Sequence, residues 1–392
     1  MDQSATAITL TNARMIVPGG VCEGWLRADR GRIVSLDAGE APPHGGGEVV
    51  NARGRWVVPG AVDMHIHGGA GAAFTDADPE RAMRIVEFNR ARGVTTLLGG
   101  LVTATPSDTL KQVAALTELC DAGELAGIYL EGPYIAKSKC GAHDPALLRE
   151  PDPAEFDRIL KAGRGHVRMV TVAPELPGAL ELIRLAVDSG VVAAIGHTEA
   201  DYDQARAAFD AGATVATHLY NQMRPLHHRD PGPIAAALND ERVTVELIND
   251  GVHVHPGAAA LVFASAGSDR VALITDAMSA TGLEDGEYTL GKLRVVVEGG
   301  RAVVAETGTI ASSTIVLPDA VRRTVHDLPG VGIEAAVHSA AATPARALGL
   351  DSAGLDAGVG SLKVGNRADL ALLGRDLAVE AVLHNGAWVH RS

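Results

Sequence analysis

Hydrophobic positions along this chain change their spacing twice. Up to residue 58 they form short runs at 8–10, 14–17, 24–28, 32–36 and 49–51. Gly19-Gly20, Asp29-Arg30-Gly31 and the segment 42–47 divide them, as turns divide hairpin strands. The tail has the same texture, with runs at 369–373, 379–383 and 387–390 and Asn385-Gly386 as a tight turn. Two ends of like texture predict one small β-sandwich domain built from residues 1–58 and 359–392. Between them, apolar blocks near 57–66, 94–99, 127–131, 167–172, 191–196, 213–218, 243–249 and 271–276 alternate with helical patterns. Those patterns lie at 79–92, 107–120, 153–161, 178–189, 202–210, 231–239 and 256–266. The apolar blocks run without polar alternation, which marks strands buried on both faces. Eight of them with helices between predict an α/β fold, a (β/α)8 TIM-like barrel over residues 59–358. The alternative, a doubly wound open sheet, calls for a glycine-rich phosphate fingerprint after the first strand. Gly68-Gly69-Ala70-Gly71 matches that poorly. A stretch at 284–306, with Gly299-Gly300 as its turn, reads as a β-hairpin inserted after the eighth strand.

Composition narrows the partners. Of 392 residues 46% are hydrophobic but only 3% aromatic, so Val, Ile, Leu and Ala must fill the core. A net charge of −14 argues against nucleic acid or an anionic membrane as partner, and an anionic substrate would need a local cationic pocket. No uncharged apolar run reaches spanning length, and Met1-Asp2-Gln3-Ser4 lacks the basic and apolar regions of a leader. A cytoplasmic location is expected. Cys22, Cys120 and Cys140 are far apart and form no CxxC.

Candidate chemistry lies at the strand ends, where a barrel gathers its functional groups. Those ends read His65 and His67, Glu131, His197, His218, His253 and Asp276. Residues i and i+2 of a strand point the same way, so His65 and His67 can face one cation. Imidazoles with carboxylates suit Zn2+, Fe2+, Mn2+ or Co2+ better than Ca2+ or Mg2+. Glu131 could bridge two such ions ~3.5–4 Å apart. Asp63 is read either as the holder of a ligand imidazole or as a plain strand carboxylate.

The segments PGAVDMHIHGG (59–69), YLEGPYI (129–135), KCGAHDP (139–145), IGHTEA (195–200), THLYNQM (217–223), RDPG (229–232), NDGVHV (249–254), LITDAMSATG (273–282) and GSLKVGNRADLALL (360–373) span nearly the whole chain. In this order they resemble the metal-dependent amidohydrolase superfamily, and within it the N-acetylglucosamine-6-phosphate deacetylase branch. Other branches carry a carbamylated lysine after the fourth strand. None stands there in this sequence, and Glu131 takes its place. The resemblance implies that Glu131, His197 and His218 form the shared metal site and that His65 and His67 match a second one. One or two divalent transition-metal ions per subunit are therefore expected, Zn2+ foremost. It implies hydrolysis of N-acetyl-D-glucosamine 6-phosphate to D-glucosamine 6-phosphate and acetate. Asp276 would move the proton between water and the leaving amine, and His143 would donate to the carbonyl oxygen as it gains charge.

Arg229, ahead of a helix start at Pro231-Gly232, offers an anion site. Asn221, Gln222 and His253 match positions that hold the sugar phosphate. In relatives a neighbouring subunit completes this phosphate site, which implies a homodimer. The rival readings are an N-acetylgalactosamine 6-phosphate deacetylase, another small amide hydrolase of the superfamily, or a barrel scaffold without turnover. Ala311-Ser312-Ser313-Thr314 departs from the Ala-Gly-Ser usual near this position in relatives. Lys137 and Lys139 lie in an expected lid. His44, His166, His326, His338, His384 and His390 read as structural or surface groups.

Overall fold

Eight parallel strands form the centre of the molecule: β1 (Ala61–Asp63), β2 (Val94–Val102), β3 (Gly127–Glu131), β4 (Val167–Val172), β5 (Val192–Ile195), β6 (Val215–Ala216), β7 (Thr244–Ile248) and β8 (Val271–Ile274). Each pairs with its neighbours in chain order. The ring closes above the strands, where Asp276 N–H donates to His65 O at 2.8 Å and His67 N–H to Ala277 O at 2.8 Å. This is the (β/α)8 barrel. The structure is a computed structural model describing residues 7–42, 46–352 and 358–391; Met1-Asp2-Gln3-Ser4 and His44, considered above, lie outside them.

The strands hold because both faces are apolar. Val62, Met64, Leu98, Tyr129, Met169, Ala194, Val215 and Ile248 fill the interior, all fully buried. The outer face meets helices whose starts are written in the sequence. Asp78, Thr105 and Asp152 cap helices Pro79–Arg90, Pro106–Asp121 and Pro153–Ala162, each with proline in the first turn. A capping oxygen takes an orphan N–H, and proline gives up only one that would be unpaired anyway.

The two chain ends meet in one eight-stranded mixed sheet. Ile8–Val17 lies between Gly20–Asp29 and Trp56–Pro59, and Leu370–Leu373 joins the other side of Trp56–Pro59. Leu10, Met15, Leu26, Ile33, Leu370 and Leu383 share its core, so both termini build the small β domain.

Three local outcomes differ from the sequence pattern. The expected strand at 57–66 divides at Gly60, its first part joining the terminal sheet and its second the barrel. A side chain at Gly60 would lie 2.1 Å from Thr95 Oγ1, so only glycine lets the chain pass there. The inserted hairpin gains a third strand: Gly286–Leu290, Leu293–Glu298 and Arg301–Val304. Beyond it come helices Leu317–Asp327, Ile333–Ala340 and Ala342–Ala347, which the pattern did not predict. Among the described residues no helix is long and apolar enough to cross a membrane.

Candidate active site

The groups singled out at the strand ends, His253 excepted, gather around one carboxylate. Glu131, the last residue of β3, is almost wholly buried. Its Oε1 lies 3.0 Å from His197 Nε2 and 3.0 Å from His218 Nε2. Its Oε2 lies 2.9 Å from His67 Nε2 and 3.4 Å from His143 Nε2. His65 Nε2 stands 3.2 Å from His67 Nε2, and Asp276 Oδ1 stands 3.2 Å from His67 Nε2 and 3.6 Å from His65 Nε2. Two overlapping sets of donor atoms result: His65, His67, Glu131 and Asp276, and Glu131, His143 and His197.

Backbone geometry brings them there. His197, His218 and Asp276 each follow a strand by two residues, and all three have left-handed backbones, with φ of 47°, 25° and 49°. Such a residue costs roughly 1 kcal/mol or more and persists only where the surroundings over-determine it. Gly100 in β2 lets His67 in: a side chain there would lie 2.3 Å from Ile66 O and 3.0 Å from His67 Nδ1.

The hydrogen bonds set the ring nitrogens. His67 Nδ1 faces Gly100 O at 3.2 Å and His197 Nδ1 faces Lys139 O at 2.6 Å. Carbonyls only accept, so both Nδ1 atoms carry the proton, and in a neutral ring the Nε2 lone pair is bare. Those lone pairs point at carboxylate oxygens 2.9–3.0 Å away. Acceptor facing acceptor in a buried site is repulsive unless a proton or a cation lies between them. Electrostatics say the same. Burial disfavours charge on His65 and His67, yet Glu246, Glu131 and Asp276 outweigh it for His65, and Asp276 and Glu131 raise His67 to about 9. Burial works against Glu131 as well, but the surrounding imidazoles hold its pKa well below the carboxylate range. The donor set fits a divalent transition-metal ion.

His143 is held differently. Burial lowers its pKa, and the Thr103 backbone N–H donates to its Nδ1 at 3.3 Å, leaving Nε2 to carry the hydrogen. Its Nε2–H is thus a donor aimed into the site. Asp63 holds no imidazole. Its carboxylate accepts from the His65 and Thr275 backbone N–H groups and from Thr275 Oγ1 at 2.6 Å, and burial pushes its pKa up to about 7. It ties β1 to β8.

Sequence reasoning missed Glu246. It sits in the middle of β7, fully buried, and its Oε2 accepts from His65 Nδ1 at 2.9 Å and from the His218 backbone N–H at 3.1 Å. The signal was present: a lone carboxylate inside the apolar run Thr244–Ile248 cannot be buried without a purpose-built partner. Thr103, the contact of Ser312 Oγ with Asp276 Oδ1 at 3.4 Å and the Lys139 carbonyl were also missed.

A cavity of about 160 Å3 opens above these groups, lined among others by Glu131, His143, Asn221, Gln222, His253 and Asp276. Asp250 holds the His253 ring through Nδ1 at 2.7 Å. Arg229 is not on this wall. It is exposed, with Nη1 2.8 Å from His228 Nε2, and helix Gly232–Asn239 begins just beyond it. Lys139 pairs with Glu199 at 3.1 Å rather than reaching into the cavity.

The sequence profile of the Amidohydrolase family matches residues 56–389, which include every residue of this cluster. The chain belongs to the amidohydrolase family. It is 39% identical over 370 residues to N-acetylgalactosamine-6-phosphate deacetylase of Escherichia coli O157:H7, covering 93% of this chain and 95% of that one. It is 38% identical over 340 residues to N-acetylglucosamine-6-phosphate deacetylase of Vibrio furnissii, covering 85% and 82%. Among solved structures, a variant of N-acetyl-D-glucosamine-6-phosphate deacetylase from Mycobacterium smegmatis, in complex with N-acetyl-D-glucosamine-6-phosphate, superposes with a TM-score of 0.92. That protein is 47% identical, with 99% of this chain and 100% of that one covered.

Proposed function

We infer that this amidohydrolase deacetylates N-acetyl-D-glucosamine 6-phosphate, giving D-glucosamine 6-phosphate and acetate. The observation that carries the reading is the convergence on Glu131 of four imidazoles, each with Nε2 turned toward its oxygens, beside the Asp276 carboxylate. Glu131, His197 and His218 would hold one divalent ion, Zn2+ foremost with Fe2+, Mn2+ or Co2+ as alternatives. His65 and His67 would hold a second, with Glu131 shared. Bound there, such an ion supplies Lewis acidity, which brings the pKa of a water to about 7.

The chain's own groups do the rest. Asp276 accepts the proton of the attacking water and returns it to the amine nitrogen, since an amine leaves an amide readily only when protonated. His143 Nε2–H donates to the carbonyl oxygen as the tetrahedral intermediate forms; a donor in that place is typically worth about 3–4 kcal/mol. Thr103 supports this role by fixing the tautomer. Asn221, Gln222 and His253 bind the sugar phosphate. Arg229 stands away from its own cavity, which accords with a homodimer in which it serves the partner's site. The protein works in the cytoplasm, the barrel (59–358) carrying the chemistry and the terminal domain (1–58 and 359–392) bracing it.

A second reading, N-acetylgalactosamine 6-phosphate as substrate, is favoured by the Escherichia coli relative. Acetate release from both 6-phosphates and from unphosphorylated N-acetylglucosamine, before and after chelation, tests the assignment. Activity on N-acetylglucosamine 6-phosphate that chelation abolishes and added metal restores is expected. Cleavage indifferent to chelation sinks the metal reading, and equal efficiency without the phosphate sinks the phosphate site.

A further inference from the structure

The cavity is lined by residues of two kinds: Asn221, Gln222 and His253 are polar, whereas Val102, Ala142, Leu290, Ile310 and Ala311 are apolar. Among the apolar ones, Val102, Ala142 and Leu290 join Met278, Val295 and Val297 in one packed cluster. Leu290 ends the strand Gly286–Leu290 and pairs with Leu293 across a tight turn. Ser279 Oγ donates to Thr289 O at 3.2 Å, tying that hairpin tip to the segment after Asp276. Ala311 N–H donates to Ala302 O at 3.0 Å, and the next residue, Ser312, touches Asp276. Ala142 directly precedes His143. Both groups assigned to the amide therefore border the apolar wall.

An N-acyl sugar likewise has two unlike parts. One bond from the carbonyl carbon lies an alkyl group, and across the nitrogen lies a ring of hydroxyls. A hydroxyl buried against Val102 and Leu290 would lose its hydrogen bonds to water without replacement, while an alkyl group there is favoured. We propose that Val102, Leu290 and Ala311 close the acyl end of the site and set the length of acyl chain it accepts, with Leu290 as the end stop. The hairpin inserted after β8 thereby acquires a role in specificity, its Leu290 completing a wall to which barrel strand β2 contributes Val102. This rests on the deacetylase reading.

The test is kcat/KM, by amine release, for the N-formyl, N-acetyl, N-propanoyl and N-butanoyl forms of glucosamine 6-phosphate. One methylene in an apolar pocket is worth about 10–200-fold, so wild-type efficiency should fall at each step beyond acetyl. Leu290→Ala should raise the N-butanoyl to N-acetyl ratio about ten-fold or more. Ala311→Leu, which fills the pocket instead, should raise the N-formyl to N-acetyl ratio by about as much, and keeps the proposal testable if the first variant folds poorly. An unchanged ratio in either folded variant, with wild type active on the acetyl form, overturns this inference alone. Wild type inert toward every acyl form defeats the deacetylase reading and this one with it.

Discussion

Replacing Glu246 by glutamine takes one negative charge from the barrel interior and leaves the side chain's shape. The oxygen facing His65 Nδ1 at 2.9 Å and the His218 N–H at 3.1 Å can remain a carbonyl oxygen, so both hydrogen bonds survive. The new amide takes the place of Oε1, which is buried and has no hydrogen-bond partner among the described residues. In the metal-free protein, however, Glu246 offsets the charge it helps to hold on His65, so the metal-free variant should melt below the metal-free wild type. Metal binding should suffer, because Glu246 orients His65 and helps raise its basicity. Loss of such a supporting group typically costs 10–100-fold in metal affinity, or about 1.4–2.7 kcal/mol. Glu246→Ala makes the contrast. It strands two buried donors at roughly 1–3 kcal/mol each, and should lower stability by about 2–6 kcal/mol. The assay pairs calorimetry of the metal-free proteins with zinc titration against a competing chelator and elemental analysis of bound metal. If Glu246→Gln binds zinc with wild-type affinity and stoichiometry, Glu246 is a packing residue and the reasoning is wrong.

Three further outcomes are expected. Asp276→Asn should keep its metal by elemental analysis while acetate release falls about 10²–10⁴-fold; near-normal turnover removes Asp276 from the proton path. Mixing Arg229→Ala with Asp276→Asn subunits after reversible unfolding should restore activity at up to about a quarter of the sites, since a hybrid dimer holds one site free of both lesions; no recovery in verified hybrids places Arg229 outside the partner's site. In the terminal domain, burial raises the Asp369 pKa, but His384, Arg367 and the Asn385 N–H at 2.7 Å outweigh it and hold the carboxyl below its usual value. A depressed carboxylate stabilises the fold above its unfolded pKa and stops doing so as pH falls through the folded one. Asp369→Asn should thus lose about 3–5 kcal/mol at neutral pH. Melting scans should show that gap closing only below about pH 4; a gap that is constant down to acid unfolding contradicts the assignment.

The barrel was legible because its strands are apolar on both faces and end in groups that a core cannot hold without reason. His65, Glu131, His197, His218 and Asp276 are conspicuous one by one, and a barrel has a single mouth where strand ends meet. What escaped reading follows from the same logic. Glu246 lies within a strand rather than at its end, so a rule that inspects ends passes over it. Helices Ile333–Ala340 and Ala342–Ala347 are alanine-rich and only eight and six residues long, too short for a periodic pattern to stand out. The need for glycine at residue 60 comes from Thr95, thirty-five residues away, which no local window contains.

The tautomers are the deeper case. Two of the imidazoles owe their bare Nε2 atoms to the carbonyls of Gly100 and Lys139, and His143 owes its hydrogen to the N–H of Thr103. Every residue but proline carries those same backbone groups, so nothing in their letters marks them. Side-chain identity therefore names the groups that can do chemistry, whereas the protonation each presents is set by backbone atoms that only the folded chain brings within reach. Any side chain at Gly100 would press on Ile66 O and His67 Nδ1, whereas a lysine-to-alanine change that leaves the 139 carbonyl in place should not disturb the site.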